Sequence, residues 1–427
     1  MKISFITAGG AGMFCGSCMQ DNTLAKALIS RGEEVTLVPL YTPLTLDDDL
    51  SESTPVFMGG IRLYMLHQYP WFRRMPRWMT KWMDSPSVLN YATKMGVSND
   101  AKQLGALTIS MLKGVNGPQK ELVLDLVDYV TNHLKPDVII LSNILLSGIV
   151  PALRQKYQGK LFGFLQGDDS FLDQLIEPYR SEAMSILRTS WQHYDGYFTY
   201  SDYYRRYIAN YLSIDPAQIN VLPLGIDATP HKGQPKLLKE DSFTLGYFAR
   251  IAPEKGFHVA LEAFSHLHAK HPHTRFRYGG YLHPSREAWM NDELNKYPHL
   301  KDHITHIGSP KGLSEKVRFY NEIDALCVPA TFEEPKGLYV LEAIANGVPV
   351  VLPSKGAFPE LVASTQGGIL TLDHDPKKIA EAVSLWINAP NLHRLHAHTG
   401  HQRLRSHHTS DKSAEALIGF LNKDVSR

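Results

Sequence analysis

Short apolar runs alternate with helical segments in the first half of the chain. Ile3–Thr7 is an apolar run closed by Gly9 and Gly10, which predicts a buried parallel strand. Apolar residues then recur at helical spacing over 24–28, and Val35–Leu40 is the next apolar run. This strand–helix–strand unit predicts a parallel sheet covered by helices. Further strands are predicted in this half at Val138–Leu141, Leu161–Leu165, Gly196–Thr199 and Asn220–Pro223.

The alternation of strands and helices restarts near residue 242. Predicted strands follow at Phe243–Ala249, Arg275–Gly279, Ile304–Gly308, Asp324–Pro329 and Val348–Leu352, and everything from Pro376 on has a helical pattern. We therefore predict an α/β protein with two doubly wound, Rossmann-like domains. The predicted boundaries are an N-terminal domain at 1–225, a Gly-, Pro- and charge-rich linker at 226–241, a C-terminal domain at 242–410, and a helix at 411–427 that packs back toward the N-terminal domain. In such sheets ligands bind beyond the carboxyl ends of the strands, so we expect the ligand in the cleft between the domains.

The length, net charge and cysteine count of the chain argue against several classes of protein. The chain has 427 residues, enough for two or three domains. Its 44 basic and 43 acidic residues give a net charge of +1, which provides no general attraction to nucleic acid. Three cysteines cannot form a disulfide scaffold. The first residues lack the apolar core of a secretory signal, so we expect a cytoplasmic protein.

A glycine-rich turn follows the first predicted strand. Gly10, Gly12 and Gly16 lie where a strand gives way to a helix, and glycines there let a phosphate or sugar approach the helix N-terminus. A plain tight turn is the alternative. Dinucleotide binding is disfavoured, because the glycine spacing is one residue too long and no acidic residue ends the second strand.

Cys15 and Cys18 form a C-x-x-C pair in the same turn. That spacing can lower the pKa of a thiol and support redox chemistry. One pair is too few for a four-cysteine zinc site. We favour a loop that carries two thiols without a redox or metal role.

Charged residues follow two predicted strands of the C-terminal half. Arg250 and Lys255 lie on the loop after 243–249, and two cations before a helix suit a diphosphate group. Glu334 and Gly337 follow the strand at 324–329, and Glu342 lies in the next helix. The two carboxylates can accept hydrogen bonds from sugar and ribose hydroxyls.

These residues give the chain a resemblance to the retaining glycosyltransferases of family four, which have the GT-B fold. That family carries G-R-x-x-x-x-K-G, then E-x-F-G-x-x-x-x-E followed by E-A-x-A-x-G-x-P-V-V. Here the segments are Ala249-Arg250 to Lys255-Gly256, then Glu334 to Glu342 continuing through Val351. The glycine-rich turn at the N-terminus also fits the family.

The resemblance implies a role for each matching residue. Arg250 and Lys255 would hold the donor diphosphate. Glu342 would bind the ribose hydroxyls, and Glu334 would contact the transferred sugar. In addition, the backbone at Gly337 and Leu338 would complete the sugar contact, and Gly10 and Gly12 would face the phosphates.

Two positions depart from the family pattern. The usual Phe of E-x-F-G is Lys336, so the packing beside the sugar is expected to differ. A His-Asp pair that many relatives carry in the N-terminal domain is replaced by Gln166-Gly167-Asp168-Asp169. We hypothesise that Gln166 or Asp168 supplies the missing polar contact, and we count Asp168 among the catalytic candidates.

Three further segments have an unusual concentration of aromatic, acidic or histidine residues. The segment 67–89 mixes Trp and Phe with Arg and Lys, as in helices that lie on membranes; an acceptor lid and a subunit contact are the alternatives. Asp47-Asp48-Asp49 is predicted to be a solvated loop, not a metal site. The histidines at 393–408 are predicted to form a solvated helix face, because flanking arginines would repel a metal ion.

The resemblance thus implies a retaining, metal-independent glycosyltransferase that needs no cofactor. The donor would be a nucleotide-diphosphate sugar carrying a hexose, with UDP favoured. The acceptor would be an unidentified sugar, lipid or small molecule, nucleic acid is not an expected partner, and peripheral contact with the inner membrane face would involve 67–89. Two alternatives are a GT-B enzyme that uses phosphate or a sugar phosphate and a non-catalytic protein that binds a sugar nucleotide.

Overall fold

A computed structural model describes residues 1–8, 16–40, 101–239, 241–310 and 312–423. Several sequence predictions lie outside these residues. They concern Gly10, Gly12, Cys15, the Asp47–Asp49 run and the segment 67–89.

The described chain divides into two compact units. The first contains Met1–Tyr200, Tyr204–Leu222 and Ala414–Arg427, and the second contains Ser201–Tyr203 and Pro223–Ser413. Each unit is built on a six-stranded sheet in which all neighbouring strands are parallel.

The first sheet has the order β2-β1-β3-β4-β5-β6. Its strands are β1 (Lys2–Thr7), β2 (Glu34–Pro39), β3 (Val138–Leu141), β4 (Lys160–Phe164), β5 (Gly196–Thr199) and β6 (Ile219–Val221). The strands β3 and β5 are buried along their whole length, as expected for strands that helices cover on both faces. The helices of this part of the chain are α1 (Gly16–Ser30), α2 (Ala101–Leu112), α3 (Lys120–Asp128), α4 (Val150–Lys156), α5 (Asp169–Leu172), α6 (Tyr179–Ser190) and α7 (Asp202–Leu212).

The second sheet has the order β12-β11-β10-β7-β8-β9. Its strands are β7 (Phe243–Phe248), β8 (Thr274–Gly279), β9 (Ile304–His306), β10 (Ala325–Cys327), β11 (Val350–Pro353) and β12 (Gly368–Thr371). Its helices are α8 (Phe257–Lys270), α9 (Glu287–Asn295), α10 (Leu313–Asn321), α11 (Leu338–Ala345), α12 (Phe358–Thr365), α13 (Pro376–Asn388) and α14 (Pro390–His407). A last helix, α15 (Ser410–Leu421), begins in the second unit and belongs to the first unit from Ala414 on.

The predicted α/β class and the doubly wound sheets are confirmed. Several strand ends differ by one or two residues, and β10 and β12 differ most from the prediction. The strand predicted at Asp324–Pro329 is limited to the three residues of β10, because the chain leaves the sheet toward a loop at Val328. The strand β12 was not predicted, since its four residues form a short edge strand with little apolar signal.

The prediction of a solvated histidine face at 393–408 is wrong for three of its members. His393, His401 and His408 are each at most 8% exposed. His408 lies 2.8 Å from the Leu224 carbonyl and 2.8 Å from the Ser364 hydroxyl. Burial lowers the pKa of all three histidines. They therefore serve as neutral, hydrogen-bonded packing groups.

No helix in the described ranges is long and apolar enough to cross a membrane.

Candidate functional site

The second sheet reverses its strand order between β7 and β10. From β7 the chain winds outward through β8 and β9, and from β10 it winds the other way through β11 and β12. The strands β7 and β10 are parallel neighbours, with Leu245 opposite Ala325. The loops that leave their carboxyl ends therefore lie side by side, at the position where doubly wound sheets bind ligands.

We call residues 249–256 the cation loop and residues 328–337 the carboxylate loop. The backbone amide of Thr331 donates to the carbonyl of Glu254 at 3.0 Å, which joins the two loops directly. The cation loop ends in a short helical turn, Pro253–Lys255, just before α8. This turn presents Lys255 to the carboxylate loop.

An ion pair between Lys255 and Glu334 is the centre of the site. The Lys255 Nζ lies 2.5 Å from Glu334 Oε2, and the two side chains are only 12% and 7% exposed. The hydroxyl of Tyr339 donates to the same Oε2 at 2.9 Å. The ammonium also lies over the rings of Phe332 and Tyr339, at 4.6 and 5.4 Å from their centroids. Cation–π contacts of this kind help to stabilise a charge that has left water.

Glu334 is ionised in spite of its burial. Burial alone would raise the pKa of its carboxyl group, but the Lys255 ammonium overrides that effect, assisted by Tyr339 and Lys336. The pKa therefore lies below its usual value. Lys336, which stands where the family has Phe, is itself buried and adds positive charge near this carboxylate.

A third loop, after β11, supports the backbone of the carboxylate loop. The amide of Gly356 donates to Glu333 Oε2 at 2.7 Å, and the amide of Ala357 donates to the Glu334 carbonyl at 2.8 Å. A Cβ on Gly356 would lie 2.4–2.5 Å from the Glu334 backbone. Only glycine allows this approach, and the φ of +56° also disfavours other residues.

Glu342 forms a second ion pair on α11. Lys316 of α10 lies 2.5 Å from Glu342 Oε1, and the side chains are 16% and 12% exposed. The hydroxyl of Tyr320, one turn further along α10, donates to Oε2 at 2.9 Å. Burial would raise the pKa of Glu342, but Lys316 outweighs it and holds the pKa below its usual value.

The two carboxylates are linked through α11. Tyr339 and Glu342 are three residues apart and therefore share a face of the helix. Gly337 lies immediately before the helix with a φ of +83°, which favours glycine. Leu338, the first helical residue, is half-buried. The first backbone amides of α11 have no acceptor within the helix, and they follow Glu334 closely in the chain.

Arg250 differs from Lys255 in being exposed. Its side chain is 60% exposed and lies 3.6 Å from Glu254, which also contacts Arg286 at 3.1 Å. A side chain this open can bind an incoming anion without first breaking a buried contact.

Asp168 and Gln166 lie in the first unit, after β4. Gln166 is buried and donates to Asp21 and to the Ser142 carbonyl at 3.1 and 3.0 Å. Asp168 is also buried, and its carboxylate accepts a hydrogen bond from the backbone amide of Gln166 at 3.3 Å. The predicted contact of Gln166 or Asp168 with a sugar stays a prediction, as do the roles of Gly10 and Gly12.

Sequence reasoning missed Lys316, Tyr320 and Tyr339. Lys316 and Tyr320 are four residues apart on a helix, a spacing that places them on one face but is common on solvated helices. Nothing in the sequence pairs this face with Glu342. Among the described residues, no cluster of three or more His, Cys, Asp or Glu is placed to hold a metal ion.

We predict that Lys255→Met lowers stability by about 3 kcal/mol near pH 7, because it leaves a buried carboxylate without its cation. Because the pKa of Glu334 is lower in the folded state than in the unfolded state, the ionised carboxylate stabilises the wild-type fold at pH values above the unfolded pKa. This stabilisation is lost as the pH falls through the pKa of the folded state. The difference between variant and wild type should therefore shrink toward pH 4 in urea unfolding. The double variant Lys255→Met/Glu334→Gln should lack this pH dependence, and an unchanged difference from pH 4 to 7 would contradict the ion-pair account.

A second prediction concerns the support of the carboxylate loop. Gly356→Ala should shift the loop and lower stability by about 1–3 kcal/mol, because a side chain there meets backbone and not a flexible group. Gly419→Ala is the matched control, since a Cβ at that helical position meets nothing within 4 Å and should stabilise by about 0.5–1 kcal/mol. Thermal unfolding of the two variants measures the contrast, and equal melting temperatures would refute it.

The comparisons with known proteins concern both the second unit and the whole chain. Residues 230–402 match the family model described as glycosyl transferases group 1. A glycogen synthase of Mycobacterium tuberculosis is 29% identical over 195 residues, which cover 44% of this chain and 45% of that protein. The chain thus spans about half the length of the curated relatives it matches.

Solved structures match over nearly the whole chain. A sucrose-phosphate synthase from Thermosynechococcus elongatus has a TM-score of 0.69 at 17% identity and covers 98% of both chains. The Anabaena protein HepE, in complex with UDP and glucose, has a TM-score of 0.66 at 15% identity and covers 99% of this chain and 100% of HepE. These likenesses establish the fold. Residues 230–402 are thus similar to the group 1 glycosyltransferases, and the chain as a whole has the two-sheet GT-B fold.

Proposed function

We propose that this protein transfers a hexose from a nucleotide-diphosphate sugar to an acceptor hydroxyl, with retention of anomeric configuration and without a metal ion. The strongest support is the pair of largely buried carboxylates, Glu334 and Glu342, each held by its own lysine and joined by one helix at the carboxyl edge of the sheet. Carboxylates that are ionised and held in place before a ligand arrives are strong hydrogen-bond acceptors, which suits a binding site for a polar ligand.

The donor diphosphate is the part of the ligand that needs positive charge. In our proposal it binds at Arg250 and Lys255, and the exposed Arg250 makes the first contact. Charge-assisted hydrogen bonds to phosphate are roughly twice as strong as neutral ones. The two cations and the helix N-terminal amides would stabilise the diphosphate as it leaves, so the proposed reaction needs no metal ion.

The carboxylates would recognise the two sugars of the donor. Both contacts to Glu334 described above fall on Oε2, so we propose that Oε1 accepts a hydrogen bond from the transferred hexose. The backbone at Gly337 and Leu338 would contact the same sugar. Glu342 would accept hydrogen bonds from the ribose.

The reaction proposed here breaks the bond between the anomeric carbon and the diphosphate oxygen. The acceptor oxygen forms a new bond to the same face of the anomeric carbon. The acceptor proton passes to a phosphate oxygen of the departing nucleoside diphosphate. A uridine nucleotide is favoured, supported by the UDP that HepE holds in the same fold.

A thermal-shift screen tests this function. Purified protein without metal is heated with UDP-, GDP-, ADP- and dTDP-sugars, and ligand binding to the folded state should raise the melting temperature by linkage. We expect a shift with a UDP-sugar that disappears in Glu342→Gln. Lys378→Met, which breaks an exposed pair with Glu381, is the control and should keep the shift.

The outcome also separates the alternatives. If a nucleotide sugar raises the melting temperature but reacts only after inorganic phosphate or a sugar phosphate is added, that result would favour a phosphate-using enzyme. A shift with no turnover of the donor would favour a non-catalytic binding protein. No shift with any nucleotide sugar would contradict the proposed function.

A further inference from the structure

Glu342 is held at both of its carboxylate oxygens by one helix. Lys316 contacts Oε1 and Tyr320 contacts Oε2, at 2.5 and 2.9 Å. Each carboxylate oxygen can accept two hydrogen bonds. One acceptor position per oxygen is therefore available to a ligand, and the two positions belong to one rigid group.

The residues behind this contact are themselves fixed. The ring of Phe248, at the end of β7, packs on Phe319 and Tyr320 with centroids 5.1 and 5.6 Å apart. The Lys316 ammonium lies 6.0 Å from the centroid of the same ring. Tyr320 is fully buried. The helix α10 is thus packed against the sheet in the register that places Lys316 and Tyr320 at Glu342.

Asn346 links the backbone of Glu342 to a buried histidine. Its side-chain amide, just after the end of α11, donates to the Glu342 carbonyl at 2.9 Å and to Nδ1 of His231 at 2.8 Å. An amide nitrogen can only donate, so His231 accepts at Nδ1 and is neutral. Burial lowers the pKa of His231. Lys316 is therefore the cation that balances the Glu342 carboxylate, with Tyr320 and His231 as the other titratable groups facing it.

We propose that Lys316 and Tyr320 are positioning residues that keep Glu342 ionised and oriented, and that they make the site specific for a ribonucleotide with free 2′ and 3′ hydroxyls. This inference rests on the proposed function, because it assigns a ribose to Glu342. A pair of vicinal hydroxyls can donate to the two oxygens of a carboxylate at once. A deoxyribose can use only one of them.

In this proposal Lys316 acts on the ligand through Glu342, so its removal changes the carboxylate that receives the ribose. A largely buried carboxylate without a cation takes up a proton more readily. The protonated group presents one donor and loses part of its capacity to accept from the two hydroxyls. Recognition of the 2′ hydroxyl should then weaken, and it should weaken most at low pH.

The experiment is titration calorimetry of the full chain with UDP and 2′-deoxy-UDP, at pH 5.5, 7 and 8.5. We expect wild type to prefer UDP by about tenfold or more at each pH, since a hydrogen bond to a charged group is worth about 1.5 kcal/mol or more. In Lys316→Met the preference should fall to about threefold or less at pH 5.5 and recover in part at pH 8.5. Protonation of the diphosphate affects both nucleotides alike and cancels in the ratio.

Three further variants separate positioning from simple structural damage. Lys316→Arg should keep the preference, because it retains the charge, and Tyr320→Phe should lower it with a weaker pH dependence. Lys378→Met, the same substitution in an exposed pair, should leave it unchanged. If Lys316→Met weakens both nucleotides equally and leaves the ratio at its wild-type value, the positioning role is wrong and the proposed function stands. If wild type binds neither UDP nor ADP or GDP tested in the same way, the proposed function fails and this inference fails with it.

Discussion

The ion pair between Lys255 and Glu334 is the constraint on which the candidate site depends. It joins the loops that leave two neighbouring parallel strands, β7 and β10, at the point where the sheet reverses its strand order. Parallel strands bring their carboxyl ends to one edge, but they do not fix the loops beyond that edge. A buried charge pair does so, because each partner left alone would be a costly unpaired charge. Gly356 and Ala357 complete the arrangement, because their amides donate to the Glu333 carboxylate and to the Glu334 carbonyl.

A common physical scheme connects Glu334 and Glu342. Each carboxylate is largely buried, each is balanced by a lysine from a different segment, and each accepts a tyrosine hydroxyl. Their pKa values are held low by these cations in spite of burial. Such groups are strong hydrogen-bond acceptors whose orientation is set before a ligand arrives. In contrast, Arg250 is exposed and remains adaptable. This combination of two fixed acceptors and an open cation suits a ligand that carries hydroxyls at both ends and phosphates between them.

The sequence predicted the sheets and the principal charged residues because these depend on local patterns. Short apolar runs located most strands to within one or two residues, and Arg250, Lys255, Glu334 and Glu342 lie in short motifs. Residues that act through tertiary contacts were not accessible in this way. Lys316 and Tyr320 are ordinary helix residues until the packing of Phe248 on α10 directs them to Glu342. The histidines at 393–408 were misjudged for the same reason, since their polar character gave no sign of the carbonyl and hydroxyl partners that His393 and His408 contact.

The most direct test of the account is hydrogen exchange of the full chain with and without saturating UDP. The central claim is that the nucleotide binds at the carboxyl edge of the second sheet, on the cation loop and the start of α11. We predict slower exchange in peptides covering residues 249–257 and 333–342 when UDP is present, and no such change in Glu342→Gln at the same UDP concentration. Bound UDP that leaves both segments unprotected, or that protects only residues outside 230–402, would contradict the account.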